Sequence, residues 1–159
     1  MISARAPTEL SRVDAGIAHL SQIAHLLAPS NSNDAAPSLL RSLNLHGNRL
    51  VRLEPAPLLA RLACLTALDV SSNDLVDMAA VAALPMLRVL NLANNRLTTI
   101  QGLDALVHLE KLVLAHNAIL SLVGLVHVHG AGYALKSLDV RGNRIADVPE
   151  LYYLSGLVW

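Results

Sequence analysis

The chain has 159 residues, which is enough for one domain with a core of its own. Apolar residues make up 53% of it and charged residues only 15%, a composition that excludes a disordered chain. The formal net charge is zero, so no overall positive field attracts nucleic acid or an anionic membrane, and we expect neither as a partner.

Near the start of the chain, apolar residues recur at a spacing of three, at Ile17, Leu20, Ile23 and Leu26. This spacing predicts either a capping helix or a degenerate half-repeat within residues 1–39. A polar loop at residues 29–37, bounded by two prolines, then precedes the first clear strand. We therefore predict an N-terminal cap or half-repeat with its loop over residues 1–39, and the main repeat domain over residues 40–159.

A spaced pattern, L-x-x-L-x-L-x-x-N-x-L, occurs five times after that loop. Valine or isoleucine replaces leucine at some positions, but the asparagine is present in every copy. The first leucines of successive copies lie 25, 22, 22 and 26 residues apart, a period that indicates a solenoid. The copies begin at Leu40, Leu65, Leu87, Leu109 and Leu135.

Alternation and three-residue spacing predict the shape of each coil. Around Asn91, a short strand would point Leu90 and Leu92 into the interior and Asn91 outward. Ile100 and Leu103 then follow at the spacing that suits 3-10 turns and extended segments. We therefore predict an α/β solenoid, a right-handed coil with a parallel β-sheet on its concave side and short 3-10 or extended segments on its convex side.

The asparagine of each copy stands where the chain turns away from the strand. Its amide can bond backbone groups that the turn leaves unpaired, each of which would otherwise cost about 1–3 kcal/mol when buried. We therefore interpret these residues as a structural asparagine ladder rather than as ligand-binding residues. The asparagine ladder consists of Asn48, Asn73, Asn95, Asn117 and Asn143.

The end of the sequence starts the pattern once more. Leu157 lies 22 residues after Leu135, where a sixth repeat would begin, and the sequence stops at Trp159. A solenoid needs a polar cap over its last apolar coil. We therefore expect either that the sequence is part of a longer protein or that something else covers this end.

The five copies resemble the leucine-rich repeat, in the 22-residue subtype found in protein-phosphatase regulators and in ciliary or centrosomal proteins. Residues 126–134 form an insertion, Val-His-Val-His-Gly-Ala-Gly-Tyr-Ala, that leads into Leu-Lys-Ser-Leu-Asp-Val-Arg-Gly-Asn-Arg-Ile. This stretch is similar to the N-terminal domain of the leucine-rich-repeat and coiled-coil centrosomal family, which includes the variable-flagella-number protein of basal bodies. The resemblance implies a coiled coil outside this chain, and a role at centrioles or basal bodies in cilium or flagellum assembly.

The sequence also indicates a compartment. Cys64 is the only cysteine, so no disulfide can form within the chain, and no Asn-x-Ser/Thr glycosylation site occurs. The longest uncharged apolar run, around residues 118–126, is shorter than the roughly 20 residues that a membrane-spanning helix needs. We expect a reducing compartment and a cytoplasmic location, at the centrosome or basal body.

The outward strand positions are the predicted protein-binding face. These side chains need not fill the core, so contact with a protein partner is their main available use. Within this face, Val89, Ala93, Val113 and Ala115 are expected to form a shallow apolar centre over the third and fourth copies of the pattern. The predicted concave-face residues are Arg88, Val89, Asn91, Ala93, Glu110, Lys111, Val113, Ala115, Lys136, Asp139 and Arg141.

No pattern of residues indicates catalysis. His127 and His129 lie two apart, but no cysteine or carboxylate accompanies them at the spacing of a zinc site. No strand-GxxxxGK-helix context makes a phosphate loop, and no Ser-His-Asp grouping stands out. We expect no enzyme activity, no cofactor, no metal and no small-molecule substrate.

Three functions fit these features. The first is a non-catalytic docking head of a centriolar or basal-body scaffold, with a centriolar or cytoskeletal protein as partner. The second is a regulatory subunit for a protein phosphatase, although the predicted face lacks the aromatic residues that would favour it. The third is a structural adaptor of the axoneme.

Overall fold

A computed structural model describes residues 8–27, 38–53, 56–126, 128, 130 and 132–155. Six strands of three residues each pair in parallel, in chain order, to form one sheet. The predicted solenoid with a parallel sheet is confirmed. The strands are β1 (Glu9–Ser11), β2 (Ser42–Asn44), β3 (Ala67–Asp69), β4 (Val89–Asn91), β5 (Lys111–Val113) and β6 (Ser137–Asp139).

The segments between strands are short because a coil of this length cannot hold a long helix. In the described residues they contain two short α-helices, α1 (Ala24–Leu27) and α2 (Ala56–Ala60). None of the helices in these ranges is long and apolar enough to cross a bilayer. The remaining helical segments are the 3-10 helices Leu20–Ile23, Ala79–Ala83, Val123–Leu125 and Val148–Leu154.

Strand β1 adds a repeat that the pattern did not reveal. Leu10 pairs in register with Leu43 of β2, so the strand of this first repeat lies in line with the strand of the second. By that register, Arg12 matches the interior Leu45 and Ala15 matches the ladder residue Asn48. Because both residues differ from the repeat pattern, the sequence alone did not identify this repeat. The predicted loop at residues 29–37 lies outside the described residues.

The predicted spacing of apolar residues in this first repeat is correct at three of four positions. Ile17, Leu20 and Ile23 are buried in the core. Leu26 was expected beside them, but it is only half-buried, and Leu27 is fully buried instead. The shift arises because α1 follows the 3-10 helix directly, and the wider α-helical turn moves the inward position by one residue.

The core is a stack of leucines that thins toward the last described coil. The central strand residues Leu43, Leu68, Leu90 and Leu112 are all at most 2% exposed. In the last repeat Leu138 is only partly buried against this core. Beyond it, large apolar side chains lie open to solvent, and these are Val148, Leu151 and Tyr152. Leu157, the predicted start of a sixth repeat, lies outside the described residues.

A left-handed backbone conformation recurs four residues after the centre of every strand. Two of the six positions hold glycine, for which such a conformation carries no steric penalty. His116 adopts it with φ of 57° and Ser72 with φ of 53°, although side chains with a Cβ disfavour it. This residue lies three positions after the end of each strand, and in five of the six repeats the ladder asparagine follows it directly. The six positions are Asp14, Gly47, Ser72, Asn94, His116 and Gly142.

Gly124 fixes the distance between two neighbouring coils. A Cβ at this position would overlap the backbone carbonyl of Ile100, which cannot move without shifting its whole coil. We expect Gly124→Ala to lower the free energy of unfolding by about 2–3 kcal/mol, measured by urea denaturation. Gly132→Ala is the matched control, because a Cβ there meets nothing within 4 Å. Equal losses in the two variants would contradict the close approach of the coils.

Candidate functional site

The exposed face of the sheet consists of two columns of side chains, one on each side of the buried central residues. We call it the sheet face. Register pairing aligns the members of each column from strand to strand. The flank column holds the first residue of each strand: Glu9, Ser42, Ala67, Val89, Lys111 and Ser137. The central column holds the last residue of each strand: Ser11, Asn44, Asp69, Asn91, Val113 and Asp139.

A depression of about 310 Å³ lies in the sheet face across β2 to β5. The apolar centre predicted from Val89 and Val113 forms one end of it, and Val89 is 39% exposed. The depression also reaches two strands that the predicted site left out. Apart from the core residues Leu43 and Leu68, its lining residues are Ser42, Asn44, Ala67, Asp69, Val89, Asn91, Lys111 and Val113.

Most of the predicted face residues are at least partly exposed, but one of them is not. Ala115 is only 3% exposed, so its place on the face was wrong. Ser71, the residue of the second copy that matches Ala115, is likewise only 4% exposed. The strands end at Val113 and Asp69, so alternation stops before these residues are reached. The predicted residues that do reach solvent fully or partly are Arg88, Val89, Asn91, Ala93, Glu110, Lys111, Val113, Lys136, Asp139 and Arg141.

A hydrogen-bonded polar chain joins β2, β3 and β4. The Ser71 hydroxyl lies 2.5 Å from an Asp69 carboxylate oxygen and 2.8 Å from His46 Nδ1. A carboxylate only accepts, so the Ser71 proton goes to Asp69, and His46 Nδ1 must carry its own hydrogen. Asn91 Nδ2 donates to the second Asp69 oxygen at 3.0 Å. In a catalytic triad the histidine lies between the serine and the aspartate. Here Asp69 bonds the serine and not the histidine, so these three residues are not arranged as a triad.

Ion pairs organise the charged residues over β4 to β6. Glu110 accepts from Arg88 at 2.5 Å and from Lys136 at 2.9 Å. Arg141 donates to Asp139 through two nitrogens at 2.7–3.2 Å. Among the described residues, no side chain pairs with the Lys111 ammonium.

The Glu110 carboxyl should titrate below its ordinary pKa of 4.5, because the Lys136 hydrogen bond and then that of Arg88 hold it ionised. We expect Lys136→Ala to raise the pKa of Glu110 more than Arg88→Ala does, as measured by carbon-13 NMR titration. Since folding lowers this pKa, the ion pairs stabilise the fold above pH 4.5, and their contribution is lost as the pH falls through the lowered value. A larger rise in the pKa in Arg88→Ala would contradict this order of partners.

The ladder asparagines connect adjacent repeats. Asn73 Oδ1 accepts from the Leu50 N–H at 2.9 Å, in the repeat before it. Its Nδ2 donates to the Leu45 and Val70 carbonyls, both at 3.0 Å. The other four ladder asparagines make the same set of bonds to their own and the preceding repeat. Their amide oxygens and nitrogens all form hydrogen bonds with backbone groups, so none of these polar atoms is available to a ligand.

The described residues hold neither a metal-binding cluster nor an exposed cysteine. No group of three or more histidine, cysteine, aspartate or glutamate residues there could hold a metal ion. Cys64 is half-buried. His127 and His129, the pair considered for zinc, lie outside the described residues.

The comparisons with known proteins agree with this geometry. Leucine-rich-repeat family models match residues 39–62, 61–82, 85–127 (two copies) and 135–148. No curated protein sequence matches the chain.

Several solved structures share its coil. An internalin from Listeria monocytogenes is 30% identical, covers 76% of this chain and has a TM-score of 0.61. The functional domain of InlJ from the same species, described as including a cysteine ladder, is 26% identical over 75% of this chain with a TM-score of 0.59. A leucine-rich-repeat protein of Leptospira interrogans is 26% identical over 86% of this chain with a TM-score of 0.62. The chain spans only 34%, 24% and 32% of these three structures, respectively.

Proposed function

This chain is a leucine-rich-repeat protein, and we propose that it is a non-catalytic module that binds another protein on its sheet face. Leucine-rich-repeat domains generally mediate protein–protein interaction through the extended surface that stacked repeats create. The observation that carries the proposal is the depression across four strands, lined mostly by residues that the core does not use.

The composition of the sheet face supports a protein partner. Val89, Val113 and Ala67 make the depression apolar over β3 to β5, and Asn44 and Asn91 add hydrogen-bonding groups beside them. The outer positions carry ion pairs that reach solvent. An apolar centre with a polar rim is the usual arrangement of a protein-binding surface.

The finer proposal is that the chain is the docking head of a centriolar or basal-body scaffold in the cytoplasm. It rests on the sequence of residues 126–145 and its similarity to the centrosomal leucine-rich-repeat and coiled-coil family. In such a protein the repeat domain would hold a centriolar or cytoskeletal partner, while a coiled coil elsewhere would build the scaffold.

The binding proposal is tested with two matched variants of the tagged chain. Val113→Asp places a charge in the depression, and Leu120→Asp places the same charge at a site that is 61% exposed and off the sheet face. Affinity purification with quantitative mass spectrometry should show partners lost in Val113→Asp and retained in Leu120→Asp. Identical recovery of every partner in both variants would remove the sheet face as the binding site.

The centriolar proposal is tested by imaging. The full-length protein, tagged at its own locus, should form a focus that coincides with a centriole marker in interphase cells. A diffuse or nuclear signal would contradict the proposal while leaving the binding module in place.

A further inference from the structure

The depression in the sheet face holds an ammonium group that has no ion-pair partner among the described residues. Two charged side chains line it, Asp69 and Lys111. The Asp69 carboxylate accepts three hydrogen bonds, from the Ser71 backbone and hydroxyl and from Asn91. The Lys111 ammonium has no such partner among the described residues. A bound anion would therefore be held at Lys111.

A second unpaired cation directly precedes Ser42, which lines the depression on β2. Arg41 directly precedes β2 and is exposed, and its guanidinium makes no ion pair or hydrogen bond within the described ranges. The basic residues that precede later strands are different, because Arg88 and Lys136 both pair with Glu110. The two cations that remain for a partner therefore lie at β2 and at β5.

Strand geometry sets the spacing between these two cations. Strands β2 and β5 are three positions apart in the sheet. At about 4.8 Å between neighbouring strands, this is roughly 14 Å. A peptide extended across the strands advances about 3.4 Å per residue, so it spans this distance in roughly four residues. Its first, third and fifth side chains point to the same side, toward the sheet.

The surface midway between the two cations is apolar. Ala67 of β3 and Val89 of β4 occupy the flank column there, and both line the depression. Val89 is 39% exposed, so it is available for contact. The third side chain of a crossing peptide would lie over this pair, and burial of an apolar group there is favourable.

We infer that the sheet face binds an acidic extended segment of its partner, with the pattern acidic-x-apolar-x-acidic, laid across β2 to β5. The two acidic side chains pair with Arg41 and Lys111, and the apolar one contacts Ala67 and Val89. A carboxylate fits better than a phosphate, because Asp69 and Glu110 nearby would oppose a second negative charge. This inference rests on the proposed function, since it names the partner chemistry of the same face.

The test is a nitrogen-15 NMR titration of the whole chain with capped peptides. The probe is Asp-Ser-Leu-Ser-Glu. Its controls are the uncharged Asn-Ser-Leu-Ser-Gln, the clustered Ser-Asp-Glu-Leu-Ser, and the same frame with phosphoserine at both ends. We expect the probe to shift amides of β2 to β5 and to bind at least fivefold tighter than any control.

Charge variants locate the contact. Lys111→Gln should weaken binding of the probe by about fivefold, the upper effect of losing one solvent-exposed ion pair. Arg144→Gln removes the same charge from an exposed residue that follows the ladder asparagine, outside the sheet face, and should change affinity less than twofold. Equal weakening in the two variants would show a net-charge effect and overturn the inference.

The remaining outcomes separate this inference from the proposed function. If the uncharged, clustered or phosphorylated peptide binds as tightly as the probe, the acidic pattern is wrong. If no peptide binds, yet Val113→Asp still loses cellular partners that Leu120→Asp keeps, the inference falls and the binding face stands. If no peptide binds and neither variant loses a partner, both fall.

Discussion

Leu92→Asp should unfold the domain. Leu92 follows β4 directly and is fully buried. An unpaired carboxylate at this position has no polar partner in a stack of leucines, so it must be either desolvated or protonated, and both cost several kcal/mol. A domain of this size is stabilised by only about 5–15 kcal/mol, so the loss is a large part of the total. Far-ultraviolet circular dichroism and urea denaturation should show little or no folded protein.

Val113→Asp is the matched variant for this experiment. It introduces the same charge in the next coil, but on the exposed side of the sheet instead of the core side. Val113 is half-buried at the edge of the depression, where its replacement can reach water. We expect its spectrum and its unfolding midpoint to stay close to those of the parent. Equal unfolding of the two variants would show that Val113 belongs to the core and not to the sheet face.

Asn73→Ala is expected to lower the free energy of unfolding by about 3–5 kcal/mol. The change orphans the buried Leu50 N–H and removes the bonds to the Leu45 and Val70 carbonyls. Each buried group left without a partner costs about 1–3 kcal/mol, and Asn73 itself is only 8% exposed, so water cannot replace it. The loss should be measured by urea denaturation at constant m-value.

Asn91→Ala provides the control for the ladder variant. Asn91 is also an asparagine beside a strand, but it lies on the sheet face and is half-buried. Water can take over its bonds to Asp69 and to the Ala93 N–H, so we expect a loss of about 1 kcal/mol or less. Similar losses in the two variants would show that the asparagine ladder is dispensable.

Periodicity revealed the main features of the fold because each repeat solves the same burial problem. Leu90 and Leu92 are both fully buried, because alternation continues from β4 into the residue that follows it. The three-residue spacing continues through Ile100, Leu103 and Leu106, and all three are buried. In both cases the inward direction follows from local geometry and needs no knowledge of the neighbouring coil.

Features that depend on a neighbouring coil could not be read from the pattern. Strand β1 was missed because Arg12 and Ala15 replace two consensus residues, although pairing with β2 still imposes the strand. Ala115 was misplaced because the strand ends earlier than the alternation suggests. The depression also extends over Asn44 and Asp69, since its shape depends on the arrangement of four strands rather than on one repeat.

The asparagine ladder gives the solenoid a direction. The side chain of Asn143 holds the Ile119 amide of the coil before it, and Asn117 likewise holds Leu97. In a one-dimensional array each unit is stabilised mainly by its neighbours. Each coil is therefore held by the asparagine of the next coil, and local opening of one coil should spread backward to the coil before it.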